Sequence, residues 1–96
     1  MNKNILLNYL KEHFQEFHKD YNVEKIGIFG SYARDEANEN SDIDIFVQMH
    51  PKLLDMVAIK QYIEKDLNLK VDIIRLRDKM NPYLKKRILR DGIYVV

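Results

Sequence analysis

Asp42 and Asp44 stand two residues apart in the run Ser41-Asp42-Ile43-Asp44-Ile45-Phe46-Val47, and they are the most chemically suggestive residues in the chain. In a strand, residues at this spacing project from one face with Cα atoms about 6.6 Å apart, so both carboxylates can meet one cation or bridge two. Aspartate is depleted in strands and its charge is costly to desolvate, which calls for water or a metal on that side. A solvated sheet face also accounts for such a pair taken alone. Asp72 sits between Val71 and Ile73 in a second β-rich run and points away from both neighbours, so three carboxylates could share one surface. An exposed place on an edge strand is the plainer reading of Asp72 by itself. Three aspartates offer hard oxygen donors that suit Mg²⁺ or Mn²⁺ better than zinc. The chain has no cysteine, which excludes disulfide scaffolds, cysteine-ligated zinc and thiol nucleophiles. Gly30-Ser31 adds a different chemistry: glycine lets backbone approach a ligand closely, and N–H groups at a helix start suit anionic oxygens such as those of phosphate. As a lone dipeptide it is also ordinary turn chemistry.

These residues need elements to hold them. Leu6, Leu10, Phe14, Phe17 and Tyr21 recur at three- and four-residue spacings, which predicts an amphipathic helix over residues 3–19 with this stripe in the core. Val23 to Phe29 reads as a strand that runs into the Gly30-Ser31 corner. Ser31 is expected to cap a short helix through Ala37, with Asp35 and Glu36 in its first turn. From Asp42 to Met49 the period is two: Ile43, Ile45, Val47 and Met49 on one face, Asp42, Asp44, Phe46 and Gln48 on the other. His50-Pro51 breaks that strand, and Leu53, Met56, Ile59, Ile63 and Leu67 predict a helix up to Asn68. Val71 to Ile74 is a further strand. Asn81-Pro82 starts a last helix that reaches about Asp91, with Gly92 as a left-handed stop and Ile93 to Val96 as a terminal strand. The expected fold class is α/β, a small mixed sheet of three to five strands flanked by helices.

Composition sets the frame around these elements. Ninety-six residues, 46% hydrophobic and 32% charged, with a formal net charge of +1, predict one small globular domain spanning 1–96. The near balance of charge gives no global field to draw in nucleic acid or an anionic membrane. Ile5-Leu6-Leu7 is far short of a secretory core of about seven to fifteen apolar residues, and no span nears the roughly twenty needed to cross a bilayer. A soluble, cytoplasmic protein is expected. His13, His18 and His50 do not make a metal set, because His13 and His18 are off the spacing that shares a helix face. Arg34 could reach a phosphate with its guanidinium fork or pair with a nearby acid. Lys79, Lys85, Lys86, Arg87 and Arg90 make the C-terminal segment basic, which suits a helix end as well as an acidic partner.

The joint spacing is more telling than its parts. Gly30-Ser31-Tyr32-Ala33-Arg34, followed by Ser41-Asp42-Ile43-Asp44-Ile45-Phe46-Val47 and then by Val71-Asp72-Ile73-Ile74, resembles the DNA polymerase β-type nucleotidyltransferases, in particular the minimal nucleotidyltransferase (MNT) proteins. Leu53-Leu54-Asp55-Met56-Val57 and Lys86-Arg87-Ile88-Leu89-Arg90 are similar to later blocks of that family, so the likeness extends from about residue 23 onward. Asp35 departs from the pattern, standing where the family commonly has glycine. The resemblance implies a polymerase β palm-like fold and transfer of AMP from ATP to a hydroxyl with release of pyrophosphate. It assigns Asp42, Asp44 and Asp72 to two Mg²⁺ ions, Mn²⁺ being an alternative, and Gly30 with Ser31 to the β- and γ-phosphates. Asp72 could also take the acceptor's proton. In that family the partner is a HEPN-type toxin, which the MNT protein neutralises as antitoxin by adenylylating a tyrosine. A subunit adenylylating a small aminoglycoside-like compound and a non-catalytic antitoxin that only binds are the other classes considered. A chain this short leaves little for an enclosed pocket, so another chain, or a second copy, is expected to complete the acceptor site.

Overall fold

The Asn2 side chain accepts a hydrogen bond from the Ile5 N–H at 3.0 Å and so opens the first helix of the computed structural model, which describes residues 1–95. That helix, α1, runs Lys3–Tyr21 and ends at Asn22 in the left-handed conformation. It buries Leu6, Leu10, Phe14 and Phe17, the stripe expected from the spacing, with Tyr21 packed at its margin. The remaining elements follow as β1 (Lys25–Phe29), α2 (Gly30–Ala33), β2 (Ile43–Gln48), α3 (Leu53–Leu67), β3 (Val71–Arg75), α4 (Pro82–Asp91) and β4 (Ile93–Tyr94). The strands form one mixed sheet in the order β3-β2-β1-β4, in which β1 is antiparallel to β2 and β4 while β2 and β3 are parallel. This is the expected α/β class.

Alternation along the strands sends Ile26, Ile28, Ile43, Ile45, Val47 and Val71 to one face, where they meet the stripe of α1 and Ile59 and Ile63 of α3. The opposite face carries α4, capped at its start by Asn81, whose side chain accepts from the Leu84 N–H at 3.1 Å, with Pro82 in the first turn. Here the expectation for Phe46 fails. Placed by alternation on the polar face with the aspartates, it is 1% exposed and packs with Phe29 and Ile88 in a second, small core. Its face is the polar one only where α4 does not cover it.

Three local expectations are also corrected. α2 is a single turn that begins at Gly30 with Phe29 at the cap position, so Ser31 lies inside the helix rather than capping it. Asp35 takes a φ of 60°, which ends α2 and puts Asp35 and Glu36 beyond it instead of in its first turn. This left-handed position is one that glycine fills without cost and that aspartate tolerates better than most residues. Gly92 is extended, at φ −64° and ψ 136°, and not left-handed. Its small size serves packing, since a Cβ there would overlap the Ile88 carbonyl and crowd the Phe46 ring. The terminal strand is observed over Ile93–Tyr94, Val95 donates its N–H to the Ile26 carbonyl, and Val96 lies outside the described residues. No helix among the described residues is long and apolar enough to cross a membrane.

Candidate active site

The parallel pairing of β2 with β3 sets Asp44 directly beside Asp72, on the face that α4 leaves partly open. Antiparallel pairing on the other side of β2 sets Phe29, and with it the turn into α2, beside Asp44. Gly30 has a φ of 72°, and a Cβ built on it would overlap Oδ2 of Asp44. Glycine is therefore required twice over here, by the left-handed backbone and by the carboxylate against it. Ser31 follows, half-buried, in the turn of α2. Three strands thus align a row: the Gly30-Ser31 corner, then Asp44, then Asp72.

Asp42 lies one residue before β2. Its carboxylate is 42% exposed, with Lys70 Nζ at 3.9 Å. Among the described residues no three aspartate, glutamate or histidine side chains are already gathered into a ligand set. The electrostatics still link all three. Burial pushes the Asp44 carboxyl above its usual range, Asp72 and Asp42 push it further, and Arg87 and Arg34 oppose them. A partly buried carboxylate set against a second in adjacent register is a site short of positive charge, and these hard oxygen donors fit a divalent cation such as Mg²⁺.

A cleft of about 350 Å³ opens beside the pair, between α3 and α4. Asp44, Asp72, Lys60 and Arg87 supply its polar groups, and Phe29, Met56, Ile74 and Leu84 are among its apolar walls. The Arg87 guanidinium lies 5.8 Å from the centre of the Phe29 ring, which holds it over the sheet beside Asp44. Sequence reasoning grouped Arg87 with four other cations of its segment. The signal that separates it is helical position, because Arg87 precedes buried Ile88 and follows Leu84 by three residues on the sheet-facing side of α4. Arg34 reads from the sequence either as a phosphate ligand or as the partner of a nearby acid. Its guanidinium is committed to Asp91, at 3.1 Å, and to Glu36, at 3.2 Å, so it ties the end of α2 to the end of α4.

Comparison with known proteins agrees with this arrangement. Residues 10–96 match the family described as polymerase beta nucleotidyltransferase. A candidate protein adenylyltransferase of Methanocaldococcus jannaschii is 42% identical over 88 residues, covering 90% of each chain. Protein adenylyltransferase MntA of Thermococcus cleftensis is 38% identical over 88 residues, covering 90% of this chain and 88% of that one. Among solved structures, a candidate minimal nucleotidyltransferase superposes with a TM-score of 0.77 at 32% identity, covering 97% of this chain and 95% of the other. A chain from the complex of a tri-AMPylated Shewanella oneidensis HEPN toxin with MNT antitoxin shares the fold, with a TM-score of 0.66 at 20% identity, over 94% of this chain and 71% of that one. The corner, the in-register aspartates and these likenesses agree: the chain is a nucleotidyltransferase and belongs to the polymerase β family.

Proposed function

We propose that this single domain, residues 1–96, transfers AMP from ATP to a tyrosine hydroxyl of a HEPN-type toxin in the cytoplasm and so acts as that toxin's antitoxin. The observation that carries the reading is the row of Gly30-Ser31, Asp44 and Asp72 across three adjacent strands. Relatives named as protein adenylyltransferases and a fold neighbour from a HEPN–MNT complex support the choice of donor and partner.

The chemistry is an in-line displacement at the α-phosphorus. The acceptor oxygen forms a bond to phosphorus, the bond from phosphorus to the β-phosphate oxygen breaks, and pyrophosphate leaves with that electron pair. Gly30 and Ser31 hold the β- and γ-phosphates where a Cβ at position 30 would intrude. Asp42, Asp44 and Asp72 would hold two Mg²⁺ ions, for which Mn²⁺ could substitute. When bound, such ions offset charge on the entering and leaving oxygens. Asp72, the carboxylate farther from the phosphate corner, receives the acceptor's proton. Arg87 faces the same cleft as a fixed positive charge. Arg34 holds the corner in place through Asp91 rather than binding phosphate.

The test uses α-labelled ATP, Mg²⁺ and a co-expressed HEPN-type toxin. Wild-type protein labels the toxin, and Asp44→Asn lowers the rate on the order of 10²–10³-fold with an unchanged circular dichroism spectrum. Equal labelling by the variant refutes the proposal. Protection from the toxin that survives Asn at both 42 and 44 would instead identify an antitoxin that works by binding alone.

A further inference from the structure

The cleft does not end at Asp72. It continues into a second hollow of about 400 Å³ that shares Leu53, Met56, Ile73, Ile74 and Leu84 with the first. Ile73 turns toward the α1–α3 face and Ile74 toward the α4 face, so a hollow lined by both follows the outer edge of β3. β3 is the last strand of the sheet on that side. The Ile43 N–H donates to the Lys70 carbonyl and the Leu76 N–H to the Val47 carbonyl, so the peptide groups of Val71, Ile73 and Arg75 face away from β2. Glu64 takes the Val71 N–H at 3.0 Å, and the Arg77 side chain donates to the Arg75 carbonyl at 2.8 Å. Between these two caps, the N–H and carbonyl of Ile73 lie on an open strand edge.

The order of groups across the sheet gives this edge a use. If the triphosphate occupies the Gly30-Ser31 corner, an acceptor in line with it must approach from the opposite side of Asp44, past Asp72, which is the β3 side. The groove there is apolar at its walls, with Leu53 73% exposed and Val57 39% exposed. Beyond Asp44 and Asp72, the charged residues that line the two hollows are Lys60 and Arg87 at one end and Arg75 and Arg77 at the other, while Glu64 on the β3 edge is taken up by the Val71 N–H. A polycationic aminoglycoside meets repulsion along such a rim. An extended peptide with apolar and acidic side chains meets hydrophobic walls, cations of opposite charge and a strand edge able to pair with its backbone.

We infer that the outer edge of β3, between the start of α3 and α4, is the docking groove for the acceptor-bearing segment of the partner protein, bound as an extended chain with its hydroxyl over Asp72. This rests on the AMP-transfer reading and adds to it the surface that selects the acceptor. Leu53 and Val57 supply apolar contact, and Lys60 selects for acidic side chains next to the modified residue.

Leu53→Glu combined with Val57→Glu tests the groove, and Lys60→Glu tests its charge. Glutamate in the first turns of α3 is favoured by the helix dipole, so the fold persists. The expected result is a fall of about tenfold or more in labelling of the HEPN-type toxin by both variants, with calorimetric affinity for ATP and Mg²⁺ within about twofold of wild type in the Leu53→Glu/Val57→Glu protein, whose changes lie outside the polar groups of the cleft. Ile5→Glu, an equally exposed apolar site on α1, leaves labelling unchanged. Wild-type labelling by both groove variants, an equal fall in Ile5→Glu, or loss of ATP affinity together with labelling in the Leu53→Glu/Val57→Glu protein would each overturn the assignment. A wild-type protein that labels no toxin, or an Asp44→Asn variant that labels it fully, removes the transfer reading itself and is thereby distinguished from a fault in the groove.

Discussion

The face of the sheet under α1 and α3 buries an unbroken field of Leu, Ile, Val and Phe side chains, while the face under α4 buries only Phe29, Phe46 and Ile88. Both faces come from the same strands by alternation. What differs is the cover: helices of 19 and 15 residues on one side against a helix of 10 on the other. The fully covered face supplies most of the hydrophobic stabilisation. The half-covered face leaves room for Asp44 and Asp72, whose charge could not be held beneath a complete layer. In so small a chain, stability and chemistry are divided between the two sides of one sheet.

The comparison breaks most sharply with phenylalanine. Phe17→Ala on the covered face and Phe46→Ala on the other should each cost about 3–5 kcal/mol in urea unfolding, with Phe46 toward the lower value. Their consequences differ. Phe17→Ala leaves the surviving folded fraction as active per molecule as wild type, whereas Phe46→Ala loosens the seat of α4 and raises KM for ATP by displacing Arg87. Equal KM in the two variants would mean that α4 has no part in the site. Gly30→Ala comes next, at about 1–2 kcal/mol for a left-handed alanine, with transfer lost because the methyl group collides with Asp44. Normal transfer in that variant would separate the corner from the carboxylates.

Smaller effects probe the cost of the open face. Burial and the neighbouring Asp72 push the Asp44 carboxyl up and so disfavour its charge in the folded state, and Asp44→Asn in EDTA should raise Tm by a few degrees while abolishing transfer. A lowered Tm would show that the carboxylate is a structural asset. On the covered face the outer margin is laced by the Tyr62 hydroxyl, which donates to Glu16 and lies near His13 Nδ1. The bond to Glu16 and burial push the Tyr62 hydroxyl up to about 12 from an ordinary value of 10.0. A raised value means stability present below pH 10 and lost as pH climbs toward 12. The advantage of wild type over Tyr62→Phe in thermal melts should follow that course, and an advantage independent of pH would assign the effect to packing alone.

Much of this was legible in the chain because periodicity is a local property. The α1 stripe, the alternation from Ile43 to Val47, and the Asn81-Pro82 start all follow from spacing and cap chemistry. The pairing of Asp42 and Asp44 on one face and the direction of Asp72 were equally local inferences. What periodicity cannot say is which helix lands on which face. Phe46 therefore read as part of a polar surface, and Arg87 as one cation among five. A left-handed stop was expected at Gly92 and is not found there, whereas Asn22, Asp35 and Asn68 adopt that conformation, since short polar residues tolerate it and only packing around Phe46 reveals why Gly92 is small.

The register that makes Asp44 and Asp72 neighbours is closed only after the whole of α3 has been threaded between their strands. Contacts of that span form late, because the loop must be ordered before the pairing repays it. A chain in which β2 and β3 have not yet paired therefore carries each aspartate but no active centre, and nucleotide is spent only by molecules that have finished folding.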